Sequence, residues 1–257
     1  MSLICGRVAV LAPTLSKDNI RYYLSKNPNY VFGSPALLEL IKRNVKDSDD
    51  LSSIHTFVSG GDFLTVSQNK AGVEFFRKHG AETIICNGSG NAETVGTNTM
   101  AVGSINKPET VGRVLVGTKA IVVNPDTLEE VKYGEEGMLC ISGKHVFKGY
   151  YKNEDMSRDT KFVYKGIEYY KTGNMGILDT DGYFTLTGRS SRYYIRSDLN
   201  KVYLEHIQNV ISLIDVVDSC CVVPKEDKDL LFTNKAYVVL KAVSYTHLRA
   251  HETSLHL

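Results

Sequence analysis

The rhythm of apolar and polar positions changes twice along this chain. Over the first hundred residues, short apolar runs alternate with stretches of helical spacing. Residues 14–24 open on a cap-like Thr-Leu-Ser cluster and read as a first helix. Residues 30–34, YVFGS, form a short strand-like run, and Pro35 then sits where a helix starts, with ALLELIKRN as its body. Residues 55–59, HTFVS, predict a strand ending in Gly60-Gly61. Residues 66–79 have helical spacing, and 81–86, AETIIC, predict another strand that runs into NGSGNAET. Strands and helices alternating in this way predict a mainly parallel sheet with helices on its faces. The first thirteen residues, MSLICGRVAVLAP, are apolar without a small-residue cleavage site, so they are expected to be a buried strand and not a signal peptide.

From about Val111 the runs shorten and become β-like: KAIVVN, GMLCISG, IEYYKTG and YFTLTGR. Turn signals separate them, including Asn124-Pro125-Asp126 and Asp181-Gly182. This predicts a small β-rich module over about 111–188, closing a large domain of 1–188. Beyond it, VYLEHIQNVISLI over 202–214 has amphipathic helical spacing, and 216–224 and 234–243 read as strands. The expected fold class is therefore α/β, followed by the start of a small α+β domain over 189–243, with the boundary near 188–192. Residues 244–257, SYTHLRAHETSLHL, continue no pattern and resemble translated sequencing-adapter read-through. They are expected to be non-native. Their three histidines lack the rigid spacing of a metal site.

Composition narrows the partners. Of 257 residues, 42% are apolar and 23% charged, with a formal net charge of +1. Nothing in that balance steers the chain to nucleic acid or to an anionic membrane. No apolar run is long enough for a membrane span. The five cysteines, Cys5, Cys86, Cys140, Cys220 and Cys221, form no CxxC pair. They are expected to be buried thiols in a reducing cytoplasm, not a disulfide or zinc framework.

Two glycine-rich loops follow predicted strands. Ser59-Gly60-Gly61 leads to Asp62, and Asn87-Gly88-Ser89-Gly90 leads through Asn91 and Ala92 to Glu93 and Thr94. Glycine lets backbone N–H groups approach a phosphate closely, and the C-terminal ends of parallel strands are where open α/β sheets take ligands. A carboxylate at Glu93 would hold magnesium beside bound phosphates, or would serve only as a first-turn glutamate favoured by a helix dipole. Asn174 and Arg189 bracket a hairpin whose turn is Asp181-Gly182. They either grip a polyhydroxylated ligand such as ribose or are the ordinary polar ends of a surface hairpin.

In order, HTFVSGGDFL, ICNGSGNAET, the long stretch from KPETVGR to KGYYKNED, and YKTGNMGILDTDGYFTLTGR resemble the segments of the adenylate-forming superfamily. That superfamily comprises acyl-CoA synthetases, peptide-synthetase adenylation domains and luciferase-like enzymes. The resemblance covers roughly residues 14–243. It implies ATP-dependent activation of a carboxylic acid to an acyl-adenylate, then transfer to coenzyme A or to the phosphopantetheine of a carrier protein. It implies ATP/AMP contacts from Gly60, Gly61, Asp62, Asn87, Gly88, Ser89, Gly90, Ala92, Thr94, Asn174 and Arg189, and magnesium at Glu93. It also offers Tyr22, Phe32, Ser34 and 95–99 as walls of an acid pocket, where ordinary core packing is the competing reading.

Glu93 and Arg189 match the family pattern. Ser89 stands where the family usually carries an aromatic, Ala92 where it has Thr, Asn174 where it has Asp, and Ser191 at the hinge, with Arg196-Ser197-Asp198 replacing the glycine turn that follows. The upstream phosphate loop and the C-terminal catalytic lysine of the family have no counterpart in the chain. The expectation is a piece of such a ligase, inactive by itself. The alternative is a non-catalytic nucleotide-binding relative or scaffold.

Overall fold

The structure, a computed structural model, describes residues 6–62, 64–101, 103–198, 201–214 and 216–240. Its first unit is a five-stranded sheet in the order β1 (Tyr30–Gly33), β2 (Thr56–Ser59), β3 (Ile84–Ser89), β4 (Thr99–Met100), β5 (Arg113–Val114). β1, β2 and β3 are parallel, and their ends align, Gly33 beside Ser59 beside Asn87. Gly60-Gly61 therefore leaves the sheet beside Asn87, while Gly88 and Ser89 still belong to β3 and pair with β4, so the second loop begins only at Gly90.

Three helices pack on this unit: α1 (Ile20–Leu24), α2 (Pro35–Asn44) and α3 (Val66–Lys78). Leu38 and Ile41 of α2 and Phe76 of α3 meet Phe57 and Ile85, directly paired on β2 and β3, in one buried cluster. Each such side chain, fully removed from water, contributes about 1.5–3 kcal/mol. α3 starts at a reciprocal cap: Gln68 N–H donates to Thr65 Oγ1 at 3.2 Å, and Thr65 N–H donates to Gln68 Oε1 at 3.0 Å.

The second unit is antiparallel. β6 (Lys119–Val123), β7 (Glu136–Ser142), β9 (Ile167–Leu178) and β10 (Phe184–Arg189) form one sheet, with β8 (Lys161–Tyr164) pairing on β9 after the short α4 (Glu154–Asp159). Alternation sends Ile121, Val123, Met138 and Cys140 to one core and Val122, Leu139, Ile141 and Phe184 to another, so both faces are covered. The C-terminal unit is smaller. β11 (Tyr193–Ile195) pairs with β12 (Lys201–Tyr203), α5 (Leu204–Ser212) follows, and β13 (Val217–Asp227) pairs with β14 (Leu231–Leu240). Tyr194, Leu204 and Val222 form its core. Among the described residues no helix is long and apolar enough to cross a membrane.

Three expectations change. Residues 7–12 are not a buried strand: they have no regular structure, and Val8 is 91% exposed. Among the described residues no strand lies beside them to take up their backbone groups. The first helix shrinks to α1, because Asn19 Oδ1 accepts from Ser16 N–H at 2.8 Å and holds the preceding residues in a local turn. The cysteines are not uniformly buried. Cys86 and Cys140 are, Cys220 is half-buried, and Cys221 is exposed. Adjacent strand residues face opposite sides, and β13 is covered by α5 on one side only. Cys5 and residues 244–257 lie outside the described residues.

Candidate functional site

A cleft of about 420 Å³ opens where the three units meet. Residues from four distant stretches line it: Gly61 and Asp62 after β2, Asn87 to Gly90 at the end of β3, Asn174 of β9, and Arg189 of β10. α5 and β13 close the far side with Gln208, Ser212 and Cys220.

The hairpin geometry follows from one extra residue. β9 and β10 pair Leu186 with Gly176 but Gly188 with Met175, so Thr187 is bulged out of the ladder. The bulge restores the pairing with Arg189 directly opposite Asn174. Directly opposed residues share a face, so the two polar groups point to the same side. Asn174 is only 3% exposed. Its backbone N–H donates to Thr172 Oγ1 at 3.1 Å, and its Nδ2 donates to Ser89 Oγ at 3.2 Å. Two positions that depart separately from the family pattern thus face each other across the cleft.

The loop after β3 is tightly drawn. A Cβ on Gly90 would lie 1.3 Å from the carbonyl oxygen of Gly96, so the chain needs glycine there. Asn91 anchors the turn: its Nδ2 donates to the Thr172 carbonyl at 3.2 Å, and its Oδ1 accepts from Asn98 at 3.1 Å. Thr94 is buried, and its hydroxyl bonds the backbone of Asn91 in both directions. Asn87 donates to the Pro108 carbonyl at 3.1 Å, and the Gly60 N–H donates to the Gly33 carbonyl at 2.9 Å. Thr94, Gly60 and Glu93, the expected magnesium residue, are absent from the cleft wall, as is exposed Ala92. Tyr22, Phe32, Ser34 and residues 95–99 do not line it either.

Glu93 sits in the turn just behind the loop. Its Oε1 accepts from the Tyr150 hydroxyl at 2.6 Å. That bond holds its carboxyl below the ordinary range, with further help from the Tyr170 hydroxyl and the charge of Arg189. The same bond pushes the Tyr150 phenol up to about 12, and burial beside Glu93 raises Tyr170 as well. No group of three metal-binding side chains occurs among the described residues. A single carboxylate beside substrate phosphates is still the usual donor set for magnesium, which keeps several waters. The wall carries both Lys42, paired with Glu39 at 2.7 Å, and Arg189 beside the glycine-lined floor, and the volume falls within the range of small-ligand sites.

Sequence reasoning missed Tyr150 and the residues of α5 and β13. Tyr150 reaches Glu93 across 57 positions and α5 packs back on β10, and no local pattern marks which ring or hydroxyl reaches the site. At the expected boundary, Arg192 N–H donates to the Arg189 carbonyl at 3.0 Å in a tight turn, with Ser191 inside it. Arg196 pairs with Asp198 shortly after.

A family model described as AMP-binding enzyme matches residues 1–151. YngI of Bacillus subtilis (strain 168), classed by name with the acyl-CoA synthetases, is 34% identical over 209 residues, which is 80% of this chain and 37% of the relative. A D-alanine–D-alanyl carrier protein ligase of Listeria monocytogenes is 32% identical over 104 residues, covering 40% of this chain and 20% of the relative. Among solved structures, an anthranilate CoA ligase in complex with anthranoyl-AMP superposes with a TM-score of 0.77 at 24% identity, covering 92% of this chain and 44% of that one. The chain thus spans less than half the length of each of these proteins, and the structural likeness establishes the fold.

Proposed function

Because the chain belongs to the AMP-binding enzyme family, we propose that it is a segment of an ATP-dependent ligase that activates a carboxylic acid. In this reading the acid attacks the α-phosphate of ATP, giving an acyl-adenylate and pyrophosphate. A thiol of coenzyme A or of a carrier protein then takes the acyl group. The acceptor thiols named for its relatives support both choices. Free thiols at Cys86, Cys140, Cys220 and Cys221 suit the cytoplasm as the place of reaction.

The observation that carries the reading is the bulged pairing that sets Arg189 opposite Asn174, with Asn174 bonded to Ser89 at the end of β3. Asn174 keeps its carbonyl oxygen as an acceptor for a sugar hydroxyl. Arg189 supplies positive charge beside the same ligand. The Gly88–Gly90 backbone lets an adenosine phosphate approach closely. Glu93 is the residue that would hold magnesium, which when bound offsets phosphate charge. Holding two anions in contact is the main task of such a site, so donors and cations matter more than proton transfer.

The neutral Ser89–Asn174 pair also favours a second reading, a nucleotide-binding relative with reduced chemistry. One assay separates the two. A polypeptide extended to the length of its relatives is given ATP, magnesium and a panel of carboxylic acids, and pyrophosphate release is followed. Acid-dependent release is expected. Binding of ATP without release for any acid would favour the second reading, and absence of ATP binding would overturn both.

A further inference from the structure

A strap from the β-rich module crosses the turn that carries Glu93. Phe147 N–H donates to the Glu93 carbonyl at 2.7 Å, and the Tyr150 hydroxyl donates to the Glu93 carboxylate at 2.6 Å. The two bonds grip one residue at its backbone and at its side chain. The strap is itself fixed. The Phe147 ring meets Tyr150 edge-on at 4.9 Å and Tyr170 at 5.6 Å. Tyr150 N–H donates to Ser157 Oγ at 2.7 Å, tying it to α4. A solvent-reached carboxylate would otherwise sample several rotamers, and ordering such a side chain has an entropic cost. Here that cost falls on folding and not on ligand capture.

We propose that Tyr150 is a positioning residue: its phenol fixes the Glu93 carboxylate in one orientation in the turn behind the glycine loop. This rests on the reading above that Glu93 meets magnesium–nucleotide. Tyr150 touches no substrate in this arrangement. It acts through Glu93, as outer partners of metal-ligating carboxylates do. Its effect belongs to the metal-dependent part of nucleotide binding alone.

The test is calorimetric titration of the chain with ATP, once with magnesium and once with EDTA, for wild type, Tyr150→Phe, Glu93→Gln and the double variant. Tyr150→Phe keeps the ring packing against Phe147, and thermal melting checks that it folds. Magnesium is expected to tighten ATP binding by wild type, and Tyr150→Phe is expected to reduce that enhancement by about tenfold, the lower end for outer-shell partners. The double variant is expected to match Glu93→Gln, and affinities in EDTA to be the same for all four proteins. An undiminished magnesium enhancement in Tyr150→Phe would overturn the inference. An equal loss with and without magnesium would also overturn it, by marking a merely structural role. Failure of wild type to bind ATP at all would overturn the functional reading and this inference together.

Discussion

At the scale of single residues, the site depends on a few positions with no room for change. Gly90 is the sharpest. A methyl group there meets backbone, not a flexible side chain, so the 90–96 turn has to open. Gly90→Ala is expected to lower stability by about 1–3 kcal/mol, the range for overpacking, read from a denaturant midpoint at constant slope. Asn174 makes a different prediction. Asn174→Asp keeps the partner, since the Ser89 hydroxyl can donate to a carboxylate, and adds charge for a sugar hydroxyl to bond. AMP binding is expected to tighten by roughly fivefold, about one kcal/mol, as a neutral hydrogen bond becomes charge-assisted. Unchanged or weaker binding would show that Asn174 does not meet the ligand. Cysteines give a third check. A thiol reagent is expected to label exposed Cys221 quickly and Cys86 and Cys140 only on unfolding, because burial pushes the Cys140 thiol up to about 12. The sequence marked Ser89 and Asn174 one at a time. Their contact spans 85 positions, and only the fold brings them together.

At the scale of elements, legibility followed length and period. α2, α3, β2, β3, β6, β7, β9 and β10 carry enough apolar positions to show a rhythm, and the structure has them near the expected bounds. β4, β5, β11 and β12 have two or three residues each, too few for any period to appear. Their pairing is fixed by neighbours instead. α1 shows the same dependence. Five residues are too short for an isolated helix in water, and tertiary contacts hold it. Arg21 grips Asp49 through two bonds of 2.7 and 2.5 Å, and Lys46 N–H adds a third at 2.9 Å. The Arg21 guanidinium first, and that amide second, hold the Asp49 carboxyl down to about 2. A carboxyl depressed by folding contributes stability above its unfolded value near 4, and that contribution is lost as pH falls toward 2. Asp49→Asn is therefore expected to be less stable than wild type at neutral pH, with the gap closing between about pH 4 and pH 2 in urea titrations. A gap that persists below pH 2 would contradict this.

At the scale of the molecule, three units meet around one cleft, and the small C-terminal unit is docked by few contacts. Lys201 bonds both oxygens of Asp126 at 2.8 Å, and His206 approaches Glu136 at 3.1 Å. Glu136 also accepts from Thr187, the bulged residue of β10. Exposed ion pairs of this kind contribute little each, so the units are expected to move relative to one another more easily than either core deforms. The order of segments along the chain was enough to read the family. It did not show that α5 and β13 close the cleft, because that contact depends on how the C-terminal unit is docked. On the proposed reading this cleft binds an adenine nucleotide through Arg189 and the Gly88–Gly90 segment. Calorimetric titration of the chain with AMP tests it most directly. Saturable one-to-one binding is expected, weakened by about tenfold or more in Arg189→Ala, the loss of one charge-assisted contact. Absence of binding, or binding indifferent to Arg189, would contradict it.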